Sequence, residues 1–99
     1  MLEQPDIGVP RPDQLDEPIV IYTRPFCAYC TMAVRLLKQR RFRFRELGVG
    51  GNQPARTWLY EQSGQRTVPQ VFIRGRSIGG YTELATLDRG GQLTALVSD

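Results

Sequence analysis

The sequence predicts an α/β domain in which a four-stranded mixed sheet carries helices on both faces. Three observations predict it. A β-branched run, Ile19-Val20-Ile21-Tyr22-Thr23, is followed by apolar residues at three- and four-residue spacing and then by a period-two run, the pattern of a βαβ unit with parallel strands. Two short apolar runs then flank Arg74-Gly75, which reads as an antiparallel hairpin. The resulting order, β-α-β-α-β-β-α, has no internal repeat, and at 99 residues the chain has room for one small core.

Residues 1–17 carry three prolines and five acidic residues with no sustained period, so they are expected to form a disordered or loosely attached arm ahead of a domain spanning residues 18–99. Ile19 to Thr23 is continuously apolar, as a strand buried on both faces should be. Ala28, Tyr29, Met32, Ala33, Leu36 and Leu37 then recur at helical spacing, with Lys38, Arg40 and Arg41 in the last turn, where cations complement the dipole. The alternation from Arg41 to Leu47 predicts a strand with Phe42 and Phe44 on one face.

Residues 48–52 read as a loop. Pro54 near a helix start, Ala55, Trp58 and Leu59 on one face, and Gly64 past the end predict the second helix, with Trp58 a core residue. After the hairpin, Gly79-Gly80 breaks the strand; a third helix begins at Tyr81 or Thr82, turns Leu84 and Leu87 inward and ends at Gly90-Gly91. Residues 93–97 form a short closing turn or helix.

Composition narrows the function classes. No apolar run approaches the 18 residues a membrane span needs, and no signal-peptide pattern is visible, so a cytoplasmic protein without membrane partners is expected. The net charge is +3, and Lys38 is the one lysine among thirteen basic residues. Arginines and aromatics are too dispersed to argue for nucleic acid, and Arg40, Arg41, Arg43 and Arg45 read as one exposed face and a helix end.

Cys27 and Cys30 are the only cysteines, and the chain has no histidine. Two cysteines three apart cannot staple distant parts of a fold, so a redox or metal role outranks a scaffold role. A zinc site within one chain lacks two of its four ligands, which leaves only an intermolecular one. If Cys27 stands at the first turn of a helix, unpaired backbone N–H groups and the positive end of the dipole favour thiolate over thiol, with a pKa of about 3.5 to 7.5. Cys30 lies on the same helix face, roughly 5–6 Å away at Cβ, so a small rotation joins the sulfurs reversibly.

Three segments can meet at one end of the sheet: the cysteine loop, Thr67-Val68-Pro69, and Gly79-Gly80-Tyr81-Thr82-Glu83, where the glycine pair lets another backbone approach closely. Pro69 precedes a strand, and a cis Val68-Pro69 bond would turn the edge of Val68 toward Cys27, where a peptide-like thiol can pair with it as an added strand. The N–H groups opening the third helix, with the Thr82 hydroxyl, suit a carboxylate, and Arg24 suits a second one unless it is only a solvated surface charge. A small thiol peptide with a carboxylate at each end satisfies these constraints, and glutathione has that anatomy.

The arrangement Ile21-Tyr22-Thr23-Arg24 before Cys27-Ala28-Tyr29-Cys30, then Thr67-Val68-Pro69-Gln70-Val71-Phe72-Ile73, then Gly79-Gly80 before a helix, resembles a glutaredoxin of the dithiol type over residues 18–97. The resemblance implies a thioredoxin fold, glutathione as co-substrate, Cys27 as nucleophile and Cys30 as resolving thiol. It implies glutathione contacts at Arg24, Tyr29, Thr67, Val68, Pro69, Gly80, Thr82 and Glu83, and glutathionylated or disulfide-bonded proteins as substrates of a monomer.

Ala28 departs from the family's usual proline, and relatives with a small residue there sometimes hold a [2Fe–2S] cluster. The alternative function is therefore a cluster carrier or sensor, a glutathione-bridged homodimer with Cys27 as ligand. A thioredoxin-like donor served by a flavoprotein reductase is a third reading. Tyr81-Thr82-Glu83 also departs from the family pattern but retains usable polar atoms.

Overall fold

In a computed structural model, described over residues 4–98, strand β1 (Ile19–Thr23) leads into α1 (Ala28–Gln39), β2 (Phe44–Gly48) and α2 (Gln53–Ser63). Then follow β3 (Gln70–Ile73), β4 (Arg76–Gly79), α3 (Tyr81–Arg89) and α4 (Leu93–Ser98). The sheet order is β2-β1-β3-β4, with β1 parallel to β2 and antiparallel to β3, so the mixed four-stranded sheet expected from the sequence is present. All five residues of β1 are buried, as its unbroken apolar run requires.

Alternate residues of β1 face opposite layers. Ile19 and Ile21 join Ala33 and Leu37 of α1, Val71 and Ile73 of β3, Leu84 of α3 and Leu93 of α4 in one core. Val20 and Tyr22 join Ala55 and Leu59 of α2, Phe72, Val49 and Ile7 in the other. Trp58 is half-buried on this second face, stacked on Phe72 with ring centres 5.4 Å apart.

The turn between β3 and β4 has positive φ at both Arg74 (51°) and Gly75 (81°), the backbone of a tight hairpin whose twist matches its strands. β2 starts later than the alternation predicts. Phe42 N–H bonds Leu37 O and Arg41 sits at φ 60°, so 41–43 complete the exit from α1 and pairing begins with Phe44 opposite Ile19. Phe42 and Phe44 still share the α1 side of the sheet.

The expectation of a disordered or loosely attached arm is corrected for residues 4–17; residues 1–3 lie outside the described residues, as does residue 99. Ile7 is only 4% exposed, and its carbonyl accepts from Asn52 Nδ2 at 2.8 Å. Tyr22 Oη donates to Pro10 O at 2.7 Å, and the Arg11 guanidinium lies 5.6 Å from the Trp58 ring centre while Nη2 donates to Pro5 O. The arm is held by buried polar groups of the domain that need partners, a signal without a sequence period.

The arginines at 40, 41, 43 and 45 are exposed, as expected. Arg40 makes a bidentate pair with Asp88, Arg43 donates to Asp16 O, and Arg45 pairs with Glu17, so these side chains tie α1 to α3 and β2 to the segment before β1. No helix among the described residues is long and apolar enough to cross a membrane.

Candidate functional site: a cysteine pair between two clefts

Cys27 is the N-cap of α1, in extended backbone, and its Sγ accepts from Cys30 N–H at 3.1 Å. The sequence places it there because Pro25 cannot extend the strand and Phe26 turns the chain at φ 56°, leaving the next residue at the mouth of the helix. The two sulfurs are joined, with the Cα atoms 5.2 Å apart, and the residues are 8% and 4% exposed. Thr31 braces the turn, donating from both N–H and Oγ1 to Cys27 O.

The Val68-Pro69 bond is cis, and Val68 O lies 3.7 Å from Cys27 Sγ. Val68 precedes β3, so its backbone faces the cysteine pair outside the sheet ladder. Gly79 has φ 102°, and a Cβ on Gly80 would stand 3.1 Å from Pro69 O. The close approach inferred at the glycine pair is therefore made by the loop ahead of β3, which brings the opening of α3 beside Cys27.

A cleft of about 480 Å³ runs between these parts. Arg24, Cys27, Tyr29, Thr67, Val68, Pro69, Gly80, Thr82 and Glu83 all line it, so nine of the ten sequence-predicted site residues converge. Tyr29 is exposed at its mouth, its ring centre 6.0 Å from that of Tyr81. Arg24 folds over its own loop, with Nη1 donating to Pro25 O and Phe26 O at 3.0 and 3.1 Å.

Glu83 has a task the sequence reading did not assign. Its Oε1 accepts from Gly80 N–H at 2.6 Å and caps α3. A glutamine network behind it was also missed. Gln70, fully buried, donates from Nε2 to Gln65 Oε1 and Thr67 O, both at 2.9 Å, and Gln65 Nε2 reaches toward Glu83. This network holds the wall formed by residues 65–69, and a polar residue inside an apolar strand run was its only signal in the sequence.

Cys30 lines a second cleft of about 540 Å³ on the other side of the pair, together with Cys27, Arg24, Phe26, Arg35, Lys38 and Glu46. Cys27 is the sulfur common to both clefts. Among the described residues no three His, Cys, Asp or Glu side chains converge as a metal site.

The family model for glutaredoxin matches residues 19–78. The glutaredoxin of Pseudomonas aeruginosa is 40% identical over 81 residues, covering 82% of this chain and 96% of that protein. Glutaredoxin 3 of Escherichia coli K12 is 40% identical over 79 residues, covering 80% and 95%. A buckwheat glutaredoxin–glutathione complex matches with a TM-score of 0.79 at 29% identity, over 83% of this chain and 77% of that one. The dithiolic glutaredoxin 2-C-Grx1 of Trypanosoma brucei brucei matches with a TM-score of 0.76 at 31% identity, over 82% and 87%. With the cysteine pair joined at the helix mouth of a thioredoxin fold and the sequence matching on this scale, the chain belongs to the glutaredoxin family of thiol–disulfide oxidoreductases.

Proposed function

We propose that the protein is a glutathione-dependent oxidoreductase that reduces protein–glutathione mixed disulfides and protein disulfides, with Cys27 as nucleophile and Cys30 as resolving thiol. The observation that carries this reading is the position of Cys27 Sγ, which receives a backbone N–H at a helix mouth and opens on a cleft ending at a second helix mouth. With no histidine in the chain, that N–H, the α1 dipole and the Arg24 charge stabilise the thiolate.

The cleft has the polarity of the tripeptide. Its cysteinyl part lies extended along Val68, bringing its sulfur to Cys27. One carboxylate takes the N–H groups of Tyr81 and Thr82 and the Thr82 hydroxyl, and the other takes Arg24. Tyr29, Thr67, Pro69 and Gly80 form the walls. Glu83, the one acid lining the cleft, matches the tripeptide's ammonium while it caps α3.

The cycle follows from this seating. The Cys27 thiolate attacks the glutathione sulfur of the mixed disulfide; that S–S bond breaks, and the protein thiolate leaves and takes a proton from water. Cys27 then carries glutathione. A second glutathione thiolate displaces it, giving oxidised glutathione and the Cys27 thiolate. Alternatively the Cys30 thiolate attacks the Cys27 sulfur, glutathione leaves as a thiolate that takes a proton from water, and the resulting Cys27–Cys30 disulfide is reduced by two glutathiones. A reducing cytoplasm rich in glutathione supplies those electrons, and one monomer suffices.

Turnover of a glutathionylated substrate tests the assignment. Cys27→Ser is expected to lose all exchange, whereas Cys30→Ser keeps glutathione mixed-disulfide turnover and loses reduction of protein disulfides. Full activity in Cys27→Ser would reverse the two roles, and turnover with a flavoprotein reductase but none with glutathione would overturn the reading. Anaerobic purification with glutathione is expected to give a colourless monomer; a brown dimer that bleaches when glutathione is removed would make Cys27 a cluster ligand instead.

A further inference from the structure

Beyond Cys27 and Arg24, which line both clefts, the second cleft shares no residue with the seating proposed for the tripeptide. Its α1 wall follows the helical spacing Cys30-Thr31, Val34-Arg35 and Lys38, so it runs from the cysteine pair down one helix face for about 12 Å at 1.5 Å per residue. An extended chain of about four residues covers that length. Three cations line it, Arg24, Arg35 and Lys38, against one carboxylate, Glu46, whose Oε2 accepts from Thr23 Oγ1. Among the described residues the ion pairs are Arg40–Asp88 and Arg45–Glu17, so none of these three cations is paired. At the rim stands Phe26, fully exposed at 101% and held at positive φ immediately before the nucleophile.

We propose that this cleft docks an acidic stretch of the polypeptide whose disulfide is being reduced, with Arg35 and Lys38 attracting carboxylates near the reacting cysteine and Phe26 covering an apolar neighbour. This rests on the oxidoreductase reading above and names the substrate class it prefers. A polypeptide, longer than the tripeptide proposed for the 480 Å³ cleft, must run on over adjoining surface, and this second cleft shares Cys27 with the first. Its excess of positive charge selects the sign of the partner. The side chains of Arg35 and Lys38 are exposed, so the attraction is screened by salt and shows mainly in the rate of encounter.

The test is single-turnover exchange between the reduced protein and short peptides carrying one chromogenic aryl mixed disulfide, set in acidic, neutral or basic flanking sequence. It reads attack by Cys27 directly and needs no glutathione. The wild-type protein is expected to react about tenfold faster with the acidic than with the basic peptide at low salt, with the gap closing as salt is added. R35E/K38E should erase or invert that ranking while leaving turnover of a small glutathione mixed disulfide unchanged. R76E/R89E makes the same change in net charge at the far end of the molecule and should preserve the ranking.

Equal rates for the three peptides, or a ranking that survives R35E/K38E, overturns the proposal. So does a raised KM for glutathione in R35E/K38E with the peptide ranking intact, since the cleft would then serve the reducing tripeptide. Loss of glutathione turnover in the wild-type protein alongside an intact peptide ranking would sink the glutathione reading and leave the docking one standing.

Discussion

One face of the sheet is covered by three helices, α1, α3 and α4, whose buried residues Ala33, Leu37, Leu84 and Leu93 pack on Ile19, Ile21, Val71 and Ile73. The other is covered by a single helix, α2, and completed by Ile7, Val9 and Leu15 of the N-terminal arm. The first face presents two helix mouths, at Cys27 and at Gly80, to the same end of the sheet, where their dipoles and free N–H groups can hold anions. The second places its arm contacts on Tyr22, Asn52 and Trp58. Chemistry thus depends on how helices end, and support depends on what a strap of chain covers; the family match begins at Ile19, outside that strap.

Removing residues 1–11 is the strongest way to separate the two faces. It takes away the burial of Ile7, worth about 1.5–3 kcal/mol, and hydrogen bonds worth about 1 kcal/mol each, so denaturant unfolding should show a loss of roughly 3–5 kcal/mol. Exchange per folded molecule should be unchanged. A change in Cys27 reactivity in the truncated protein would show that the arm reaches the chemistry after all.

On the helical face the opposite pattern is expected. Glu83→Ala removes the α3 cap and should cost about 1 kcal/mol of stability, but it should also raise the KM for glutathione several-fold because the cleft's one acid is lost. Steady-state kinetics with unchanged KM would confine Glu83 to capping.

Tyr22→Phe breaks one strap contact, the bond to Pro10 O, at a cost of about 1 kcal/mol. Burial, foremost, and Asp13 push the Tyr22 phenol above its ordinary range. Its stabilising contribution is therefore complete below the unfolded pKa of about 10 and is lost as pH rises beyond it. Melting curves of the variant should fall less steeply in alkali than those of wild type.

The smallest effect belongs to the surface link between α1 and α3. Hydrogen bonding from Arg40 holds the Asp88 carboxyl below its usual range. The contribution is present above the unfolded carboxyl pKa of about 4 and disappears as acid takes pH down through the folded value. Asp88→Asn should lower the Tm slightly at neutral pH, and the difference should vanish in acid.

How much was legible follows the same division. Residues that punctuate the backbone could be read directly: Pro25 ahead of Cys27, Gly64 closing α2 at φ 73°, Arg74-Gly75 at the hairpin and Gly79-Gly80 before α3 all do locally what their types predict. Nine of the site residues expected from the local chain and from the family resemblance line one cleft. Misreadings arose where a residue's partner is far away in sequence. The proline-rich, acidic arm has no period, yet it is anchored by Tyr22 and Asn52. Arg43 and Arg45, exposed as expected, also hold Asp16 and Glu17, partners the local chain does not name.

By itself the sequence determined the order of strands and helices, the placement of the cysteines at a helix mouth and the mixed sheet, because periodicity, glycine, proline and β-branching act within a few residues of themselves. Only the tertiary structure decided that the arm packs, that Gln65, Gln70 and Glu83 form one supporting network, and that a cationic cleft adjoins Cys27 opposite the predicted one. The reason is that a buried donor or an unpaired charge finds its counterpart through space, and nothing in the local chain names which distant residue that will be.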